Sequence, residues 1–291
     1  MNTTMLRASL CSIVLGIAAM GCTSEIIPLD EEEAIASAAQ EINTNKIIVY
    51  EGGKPVAQNQ LSPLNPADFN IQPLQGNVDY KGQIDVLEGD LIGGVFQATQ
   101  GEYRQVFPGV FHATVIVGSL RAKTGGKTYH LKRGDSFLVT KGTEVDFKTD
   151  GARHQASFLG NFGSPDMPGT FKVYKQGSTV PESELITLGT PADFNMTVLK
   201  GDPVFEARID YAQGFESAGH FRLERSTLFV NGTTVTEHGS VTKYGMTMTR
   251  PDGTAYTLHA GDSYIVRAGS TQTWEVNGPM IYQAFFGVFV P

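Results

Sequence analysis

Apolar and polar residues alternate along most of the chain after residue 45, in short runs that recur roughly every 8 to 12 residues. Between residues 256 and 278 the pattern is clear: residues 256–259 alternate, Gly261-Asp262 follows, and residues 264–267 alternate again. Alternation with a period of two on both sides of a Gly-Asp pair predicts a strand, a tight turn and a second strand. Helical periodicity is almost absent after residue 45, so we expect an all-β fold.

The chain is built from two copies of one unit. The hairpin has an earlier counterpart in residues 129–151, 127 positions upstream. The five residues 66–70, Pro-Ala-Asp-Phe-Asn, return unchanged as residues 191–195. Each copy covers about 120 residues, which is the size of a complete domain rather than of a solenoid repeat. We therefore predict two tandem β domains, 46–164 and 170–291, joined by a short glycine- and proline-rich linker.

Residues 1–21 have the pattern of an export signal, with Arg7 followed by a short apolar run that is not long enough to span a bilayer. Ala19-Met20-Gly21-Cys22 resembles a bacterial lipobox. In that interpretation the signal peptide is cut before Cys22, and this cysteine receives lipid such as palmitate. The alternative is an ordinary secretory signal that is cut near Ala18 or Gly21.

Residues 22–45 form an acidic tether that contains six acids and no Lys or Arg. Asp30 and Glu33 make a capping pattern that predicts one short helix. Removal of residues 1–21 leaves 21 basic and 30 acidic residues, a net charge of -9, of which the tether holds -6 and the two domains -3. This near balance does not indicate a nucleic-acid partner. The residue after the cysteine is Thr23 rather than Asp. In lipoproteins of bacteria with two membranes, this predicts a position in the outer membrane, facing the periplasm.

Several kinds of chemistry are not indicated by the sequence. The only cysteines are Cys11 and Cys22, so the two domains have neither a disulfide framework nor a cysteine nucleophile. No Gly-x-Ser-x-Gly motif is present, and no phosphate-binding glycine loop precedes a helix.

Glycines and short motifs recur in the same order in both copies. They are Gly94-Val95-Phe96, Gly118, Gly134-Asp135 and Gly142 in the first copy, and Gly219-His220-Phe221, Gly245, Gly261-Asp262, Gly269 and Trp274-Glu275-Val276 in the second. This order resembles the cupin superfamily, in particular the subgroup that includes the ureidoglycine aminohydrolase and ethanolamine-utilisation cupins. The resemblance implies two jelly-roll barrels packed as a pseudo-dimer.

Cupin enzymes generally hold a divalent metal with a His-x-His pair, a Glu and a later His. Counting back seven positions from Gly118 and Gly245 places Phe111 and His238 at the position of the Glu. The later His is replaced by Val145 and Gln272. We therefore expect no metal or other cofactor, and a divalent metal in the second domain is the alternative.

The second copy keeps polar and aromatic residues that would form a ligand site if they point into the barrel. The candidates are His220, Arg222, Glu224, His238, Gln272, Trp274 and Tyr282. We expect His238, Gln272 and Trp274 to converge on one pocket within residues 170–291, and the first domain to be packed and supportive. The alternative is that alternate members of the set face solvent or the other copy, because one sequence does not establish which face of a strand is buried.

Two functions follow from these observations. The first is a membrane-anchored bicupin lipoprotein that binds a small polar ligand or has a structural role without catalysis. The second is a diverged cupin enzyme of the ureidoglycine aminohydrolase type that acts on a small polar metabolite. The oligomeric state is left open by the sequence.

Overall fold

The computed structural model describes residues 47–290. The predicted signal peptide, Cys22 and the acidic tether lie outside these residues. Within them the chain forms strands, turns and four 3-10 helices, and no α-helix. No helix in this part is long and apolar enough to cross a membrane. The predicted all-β fold is confirmed.

The first copy contributes nine strands: β1 (Ile47–Tyr50), β2 (Ser62–Pro63), β3 (Ile71–Gln75), β4 (Tyr80–Glu88), β5 (Leu91–Val106), β6 (Val110–Thr124), β7 (Lys127–Lys132), β8 (Ser136–Val139) and β9 (Glu144–Asn161). The second copy contributes twelve: β10 (Phe171–Tyr174), β11 (Ile186–Gly189), β12 (Met196–Lys200), β13 (Phe205–Gln213), β14 (Glu216–Glu224), β15 (Thr227–Val230), β16 (Val235–Lys243), β17 (Gly245–Thr249), β18 (Ala255–His259), β19 (Ser263–Val266), β20 (Gln272–Val276) and β21 (Met280–Phe289). The three long strands β5, β6 and β9 each correspond to two shorter strands in the second copy.

The repeated Pro-Ala-Asp-Phe-Asn motif is a 3-10 turn in both copies. The 3-10 helices are Gln58–Gln60, Pro66–Phe69, Glu182–Glu184 and Pro191–Phe194. Asn70 and Asn195 end the two repeated turns in the left-handed region, with φ of 51° and 55°. Asn tolerates this conformation better than most residues, and Pro suits the first position of such a turn. The motif is therefore explained by backbone geometry.

Three sheets form the two barrels. The first barrel is a sheet in the order β10-β8-β6-β9-β5-β4-β2, with β3 on β5 and β7 on β6. The second barrel has a sheet in the order β1-β19-β16-β21-β14-β13-β11 and another in the order β12-β15-β20-β17-β18. The first strand of each copy thus pairs with the barrel of the other copy: β1 lies on β19, and β10 lies on β8.

The Gly-Asp hairpins hold these exchanged strands. Asp262 Oδ1 accepts a hydrogen bond of 2.7 Å from the Gly52 amide, and Asp135 Oδ1 accepts one of 3.0 Å from the Gln176 amide. The other carboxylate oxygen of each aspartate accepts from its own turn, at Lys132 and His259. The duplicated motif therefore joins the two copies to each other as well as turning the chain.

Three hydrophobic cores follow from the alternation of side chains. In β8, Phe137 and Val139 point into the first barrel, and Leu138 points toward the second barrel. In β19, Tyr264 and Val266 point into the second barrel, whereas Ile265 faces the first. The third core lies between the barrels and joins them into a pseudo-dimer. Its members include Tyr50, Val95, Ile116, Leu159, Tyr174 and Phe286.

Candidate ligand site in the second barrel

Strand pairing assigns residues of the second barrel to their counterparts in the first. Phe111 lies opposite Gly160 on β9, and Glu237 lies opposite Gly287 on β21. The two glycines are 127 residues apart, which is the spacing of the repeated hairpin. Glu237 is therefore the counterpart of Phe111, at the position where the cupin family carries its acid.

The sequence predicted His238 at the position of the acid, and the structure moves this position by one residue, to Glu237. Gly118 has a positive φ of 76°, and in the second copy the positive φ of 64° belongs to Tyr244. Counting from Gly245 instead of Tyr244 shifted the alignment by one. Because side chains alternate along a strand, this shift exchanges an inward residue for an outward one. Glu237 points into the barrel and His238 points out of it.

Glu237 is held inside the second barrel by neutral partners. Its Oε1 accepts hydrogen bonds from the Tyr264 hydroxyl at 2.6 Å and from Gln283 Nε2 at 3.3 Å. Burial raises the pKa of the carboxyl from 4.5 to about 6, although these two bonds act in the opposite direction. The residue nevertheless keeps part of its surface accessible, in contrast to the buried residues on either side of it. Strand pairing and these two hydrogen bonds place the carboxyl on the inner wall of the second barrel.

Gln272 and Trp274 also point into this barrel. Trp274 lies opposite Leu228 and Met248 and belongs to the second core. The side-chain amide of Gln272 is buried, and within residues 47–290 neither its oxygen nor its nitrogen has a hydrogen-bond partner. Trp274 Nε1 is also buried and has no partner in this part of the chain. Buried polar atoms usually have partners, so three such atoms in one core require an explanation.

The first barrel carries apolar or aromatic residues at the corresponding positions. Phe111, Phe137, Phe147 and Ala156 are the counterparts of Glu237, Tyr264, Trp274 and Gln283. All four line a cavity of about 60 Å³ in the first barrel. Since the barrels are copies, the four polar residues occupy the equivalent inner wall of the second barrel.

The prediction that the first barrel is packed is wrong. A partly open cavity lies in the first barrel, and a wider surface cleft of about 380 Å³ is formed by residues 123–126, 142–144, 146 and 168–169. Neither is formed by residues 170–291, and the pocket expected there stays a prediction.

The structure separates the seven predicted ligand residues into two groups. Gln272 and Trp274 face the interior, and the other five lie on outward-facing positions. Arg222 donates to Glu206 at 2.9 Å, and Glu224 is exposed. The expected convergence of His238 with Gln272 and Trp274 is wrong, because His238 lies on the opposite face of its sheet.

His220 and Tyr282 face the region between the barrels. His220 Nε2 is 2.8 Å from Thr242 Oγ1, and its ring centroid is 6.1 Å from that of Tyr282. Burial lowers the pKa of His220 from 6.5 to about 4, and Arg208 acts in the same direction. Neither side chain therefore contributes a polar group to the interior of the second barrel.

His238 belongs to a buried hydrogen-bonded chain between the barrels. Its Nδ1 lies 3.0 Å from His112 Nδ1, and its Nε2 lies 3.1 Å from Ser157 Oγ, which lies 2.7 Å from Ser263 Oγ. His112 Nδ1 also lies 3.2 Å from the His238 carbonyl oxygen, so His112 carries its proton on Nδ1. Burial lowers the pKa of both histidines, so both are neutral. His238 thus joins the two copies.

The donors in the second barrel do not fit the metal site of cupin enzymes. Glu237 supplies a carboxylate, but Gln272 stands at the position of the late His, and the outward direction of His238 removes an imidazole from the interior. Within residues 47–290, no three residues among His, Cys, Asp and Glu are grouped so that they could hold a metal ion. An amide is a much weaker ligand than an imidazole for the transition metals that these sites prefer.

The architecture defines a bicupin, two jelly-roll barrels in one chain. Residues 88–152 match the model of the EutQ-like cupin domain. A protein of unknown function from Pseudomonas syringae pv. tomato has 14% identity and a TM-score of 0.65, with 84% of this chain and 100% of that chain covered. A cupin 2 conserved barrel domain protein from Leptotrichia buccalis has 11% identity and a TM-score of 0.48, with 81% and 99% covered. A comparison with curated proteins gives no match. The first barrel thus contains a match to a cupin domain, and the likeness to the Pseudomonas syringae structure shows that the chain has the cupin fold.

Proposed function

We propose that the protein is a bicupin whose second barrel binds one small polar ligand without chemical turnover. The observation that carries the proposal is the set of buried, unpartnered atoms on its inner wall, at Gln272 and Trp274. A buried polar atom without a partner costs about 1–3 kcal/mol. A ligand with its own donors and acceptors would offset this cost by pairing with the amide and the indole N–H.

The first barrel has a supporting role in this proposal. Its inner wall presents phenyl rings where the second presents Glu237, Tyr264 and Trp274, so it offers few groups that could orient a polar molecule. Its structural contribution is the pairing of β8 with β10 and the core between the barrels.

A diverged enzyme remains the second candidate, favoured by Glu237. A carboxyl with a pKa of about 6 is suited to exchange protons with a substrate near neutral pH. Elemental analysis separates the two candidates in part. One tightly bound Mn, Zn, Ni or Fe per chain would support the enzyme, and turnover of any bound compound would overturn the non-catalytic proposal.

Ligand binding can be followed at a single position. Trp274 is the only tryptophan in the chain, so indole fluorescence reports on the second interior alone. We expect at least one compound in a library of small polar metabolites to shift this emission in a saturable way. Failure of every compound, with correctly folded protein, would contradict the proposal.

A matched pair of variants locates the site. Gln272→Leu removes the unpartnered amide and should weaken binding at least tenfold. Gln105→Leu makes the same change in the first barrel, where Gln105 Nε2 donates to the Phe69 carbonyl oxygen at 3.3 Å. It should leave the affinity unchanged. Equal losses in the two variants would indicate a general effect on folding.

We also propose that the protein is anchored by lipid on Cys22 to the outer membrane, facing the periplasm. The lipobox-like residues 19–22 support this proposal. In Cys22→Ala cells the protein should move from the membrane fraction to the soluble periplasm. A variant that stays in the membrane fraction would contradict the anchor without affecting the ligand-binding proposal.

A further inference from the structure

Glu237 has no positively charged partner in the second barrel. Among residues 47–290 its hydrogen bonds come from a phenol and a side-chain amide, and it takes part in no ion pair. No Lys or Arg is buried anywhere in this part of the chain. A carboxylate inside a barrel without a counter-charge is unfavourable, because it has lost part of its hydration and gained no Coulombic partner.

From this imbalance we infer that the ligand of the second barrel is a small organic cation, with an alkylammonium or guanidinium group that pairs with Glu237. The inference rests on the proposed function and specifies the chemical class of its ligand. Both hydrogen bonds of the carboxyl reach Oε1, so Oε2 remains for the ligand. An ammonium or guanidinium N–H forms a charge-assisted bond with such an oxygen.

The rest of the inner wall also suits a cation. Trp274 and Phe221 supply aromatic surface, and cations are attracted to the faces of aromatic rings. The unpartnered Gln272 Oε1 is an acceptor for a second N–H of the ligand. An anionic ligand would instead be repelled by Glu237, and a neutral ligand would leave its charge uncompensated.

Binding of a cation should depend on pH through Glu237. The polar residues that face it are Tyr264 from β19 and Gln283 from β21, and the neutral Gln272 lies on the same inner wall from β20. The pKa of Tyr264 is raised well above 10, so its proton stays in place near neutral pH. With a pKa of about 6 in the free protein, Glu237 is mostly ionised at pH 7.5 and mostly neutral at pH 5. The affinity should therefore fall about tenfold between these values.

The test is a titration of the purified full chain at pH 7.5, followed by Trp274 fluorescence and calorimetry. The probes are methylammonium and guanidinium chloride, with sodium acetate and acetamide as an anion and a neutral compound of similar size. We expect saturable binding of one or both cations, and weaker or no binding of the other two. Saturable binding of acetate or acetamide without either cation would overturn the cation inference but keep the proposed site. No binding by any probe or by the wider library would overturn both.

Two carboxamide variants complete the test. Glu237→Gln keeps the shape of the side chain and removes the charge, and it should weaken cation binding at least tenfold and abolish its pH dependence. Glu275→Gln removes an exposed charge next to Trp274 on the outer face, and it should change the affinity less than twofold. Circular dichroism and thermal unfolding show whether each variant is folded. Unchanged affinity in a folded Glu237→Gln protein would overturn the inference.

Discussion

The two barrels share one fold, but different kinds of side chain line their interiors. In the first, mainly aromatic and aliphatic side chains, together with Gln105 and His154, line a cavity of about 60 Å³. In the second, the same positions carry Glu237, Tyr264, Trp274 and Gln283, and nearby polar atoms lack partners. The first barrel therefore has space and few polar groups at these positions, and the second has polar groups there, with buried atoms of Gln272 and Trp274 that lack partners within residues 47–290. If the proposed function is correct, a cavity by itself is a poor guide to the binding site in this molecule.

The largest expected effect comes from placing the acid of the second barrel in the first. Phe111→Glu introduces a carboxylate among phenyl rings, with no hydroxyl or amide at the counterpart positions 137 and 156. We expect the free energy of unfolding at pH 7.5 to fall by about 3–5 kcal/mol. Urea denaturation measures this loss. As a control, Phe111→Leu should cost about 1 kcal/mol. If the glutamate variant lost no more than the leucine variant, the first interior would be open to water.

The second prediction is that protonation of His154 destabilises the first barrel as the pH falls. It lies inside that barrel, with Nδ1 3.0 Å from Thr149 Oγ1, and burial lowers its pKa from 6.5 to about 4. Below pH 6.5 the unfolded chain therefore binds a proton at His154, whereas the folded state binds it only near pH 4. The stability contributed by neutral His154 is complete above pH 6.5 and is lost as the pH falls toward 4, with about 2 kcal/mol gone at pH 5.

The variant His154→Gln isolates this contribution from that of the histidines between the barrels. The decrease in unfolding free energy between pH 7.5 and pH 5 should be about 2 kcal/mol smaller in the variant than in the original protein. Substitution of the exposed His130 by Gln is the control and should leave the decrease unchanged. An identical decrease in all three proteins would show that His154 is accessible to solvent when folded.

Glu237 should give the second barrel the opposite response. Its folded pKa of about 6 lies above the unfolded value of 4.5, so the folded state favours the neutral acid. Its contribution is greatest below pH 4.5 and is lost as the pH rises through 6. Glu237→Gln should therefore stabilise the ligand-free protein by up to about 2 kcal/mol at pH 8 and have little effect at pH 4. Urea denaturation at the two pH values measures this, and destabilisation at pH 8 would mean that the carboxylate already has a favourable partner.

Much of the architecture could be predicted from the sequence because it depends on local patterns. Alternation of apolar and polar residues indicated strands, and the repeated Pro-Ala-Asp-Phe-Asn motif indicated a duplicated unit. The exchange of β1 and β10 between the barrels was not predictable in this way. It depends on long-range pairing that the Gly-Asp turns make with the other copy.

The site was harder to predict because it depends on which face of a strand is buried. Tyr244 occupies a left-handed position where the first copy has glycine, so an alignment on glycines shifted β16 by one residue. The shifted alignment places His238, instead of Glu237, at the position of the acid. The duplicated hairpin aligns Phe137 with Tyr264. The hydrogen bond that the Tyr264 hydroxyl donates could not be predicted from it, because its acceptor is Glu237 on another strand.

The two copies differ once more in the core between the barrels. Ser157 lies between His238 Nε2 and Ser263 Oγ, at 3.1 Å and 2.7 Å. Since His112 carries its shared proton on Nδ1, His238 carries its own on Nε2 and donates it to Ser157, which then donates to Ser263. At the counterpart of Ser157, the second copy has Ala284.

The smallest effect that we predict is a gain in stability from Ala284→Ser. His112 Nε2 and Ser136 Oγ, the counterparts of the two atoms that Ser157 joins, are buried without partners among residues 47–290. A hydroxyl at position 284 can donate to His112 Nε2 and accept from Ser136, which should raise the free energy of unfolding by up to about 1 kcal/mol in urea denaturation at pH 7.5. The gain should shrink when Ser136→Ala is also present, because one of the two new bonds cannot form. The mirror change Ser157→Ala should destabilise the protein. A loss of stability in Ala284→Ser, or an equal gain with and without Ser136, would show that the two sides of the junction do not follow the same geometry.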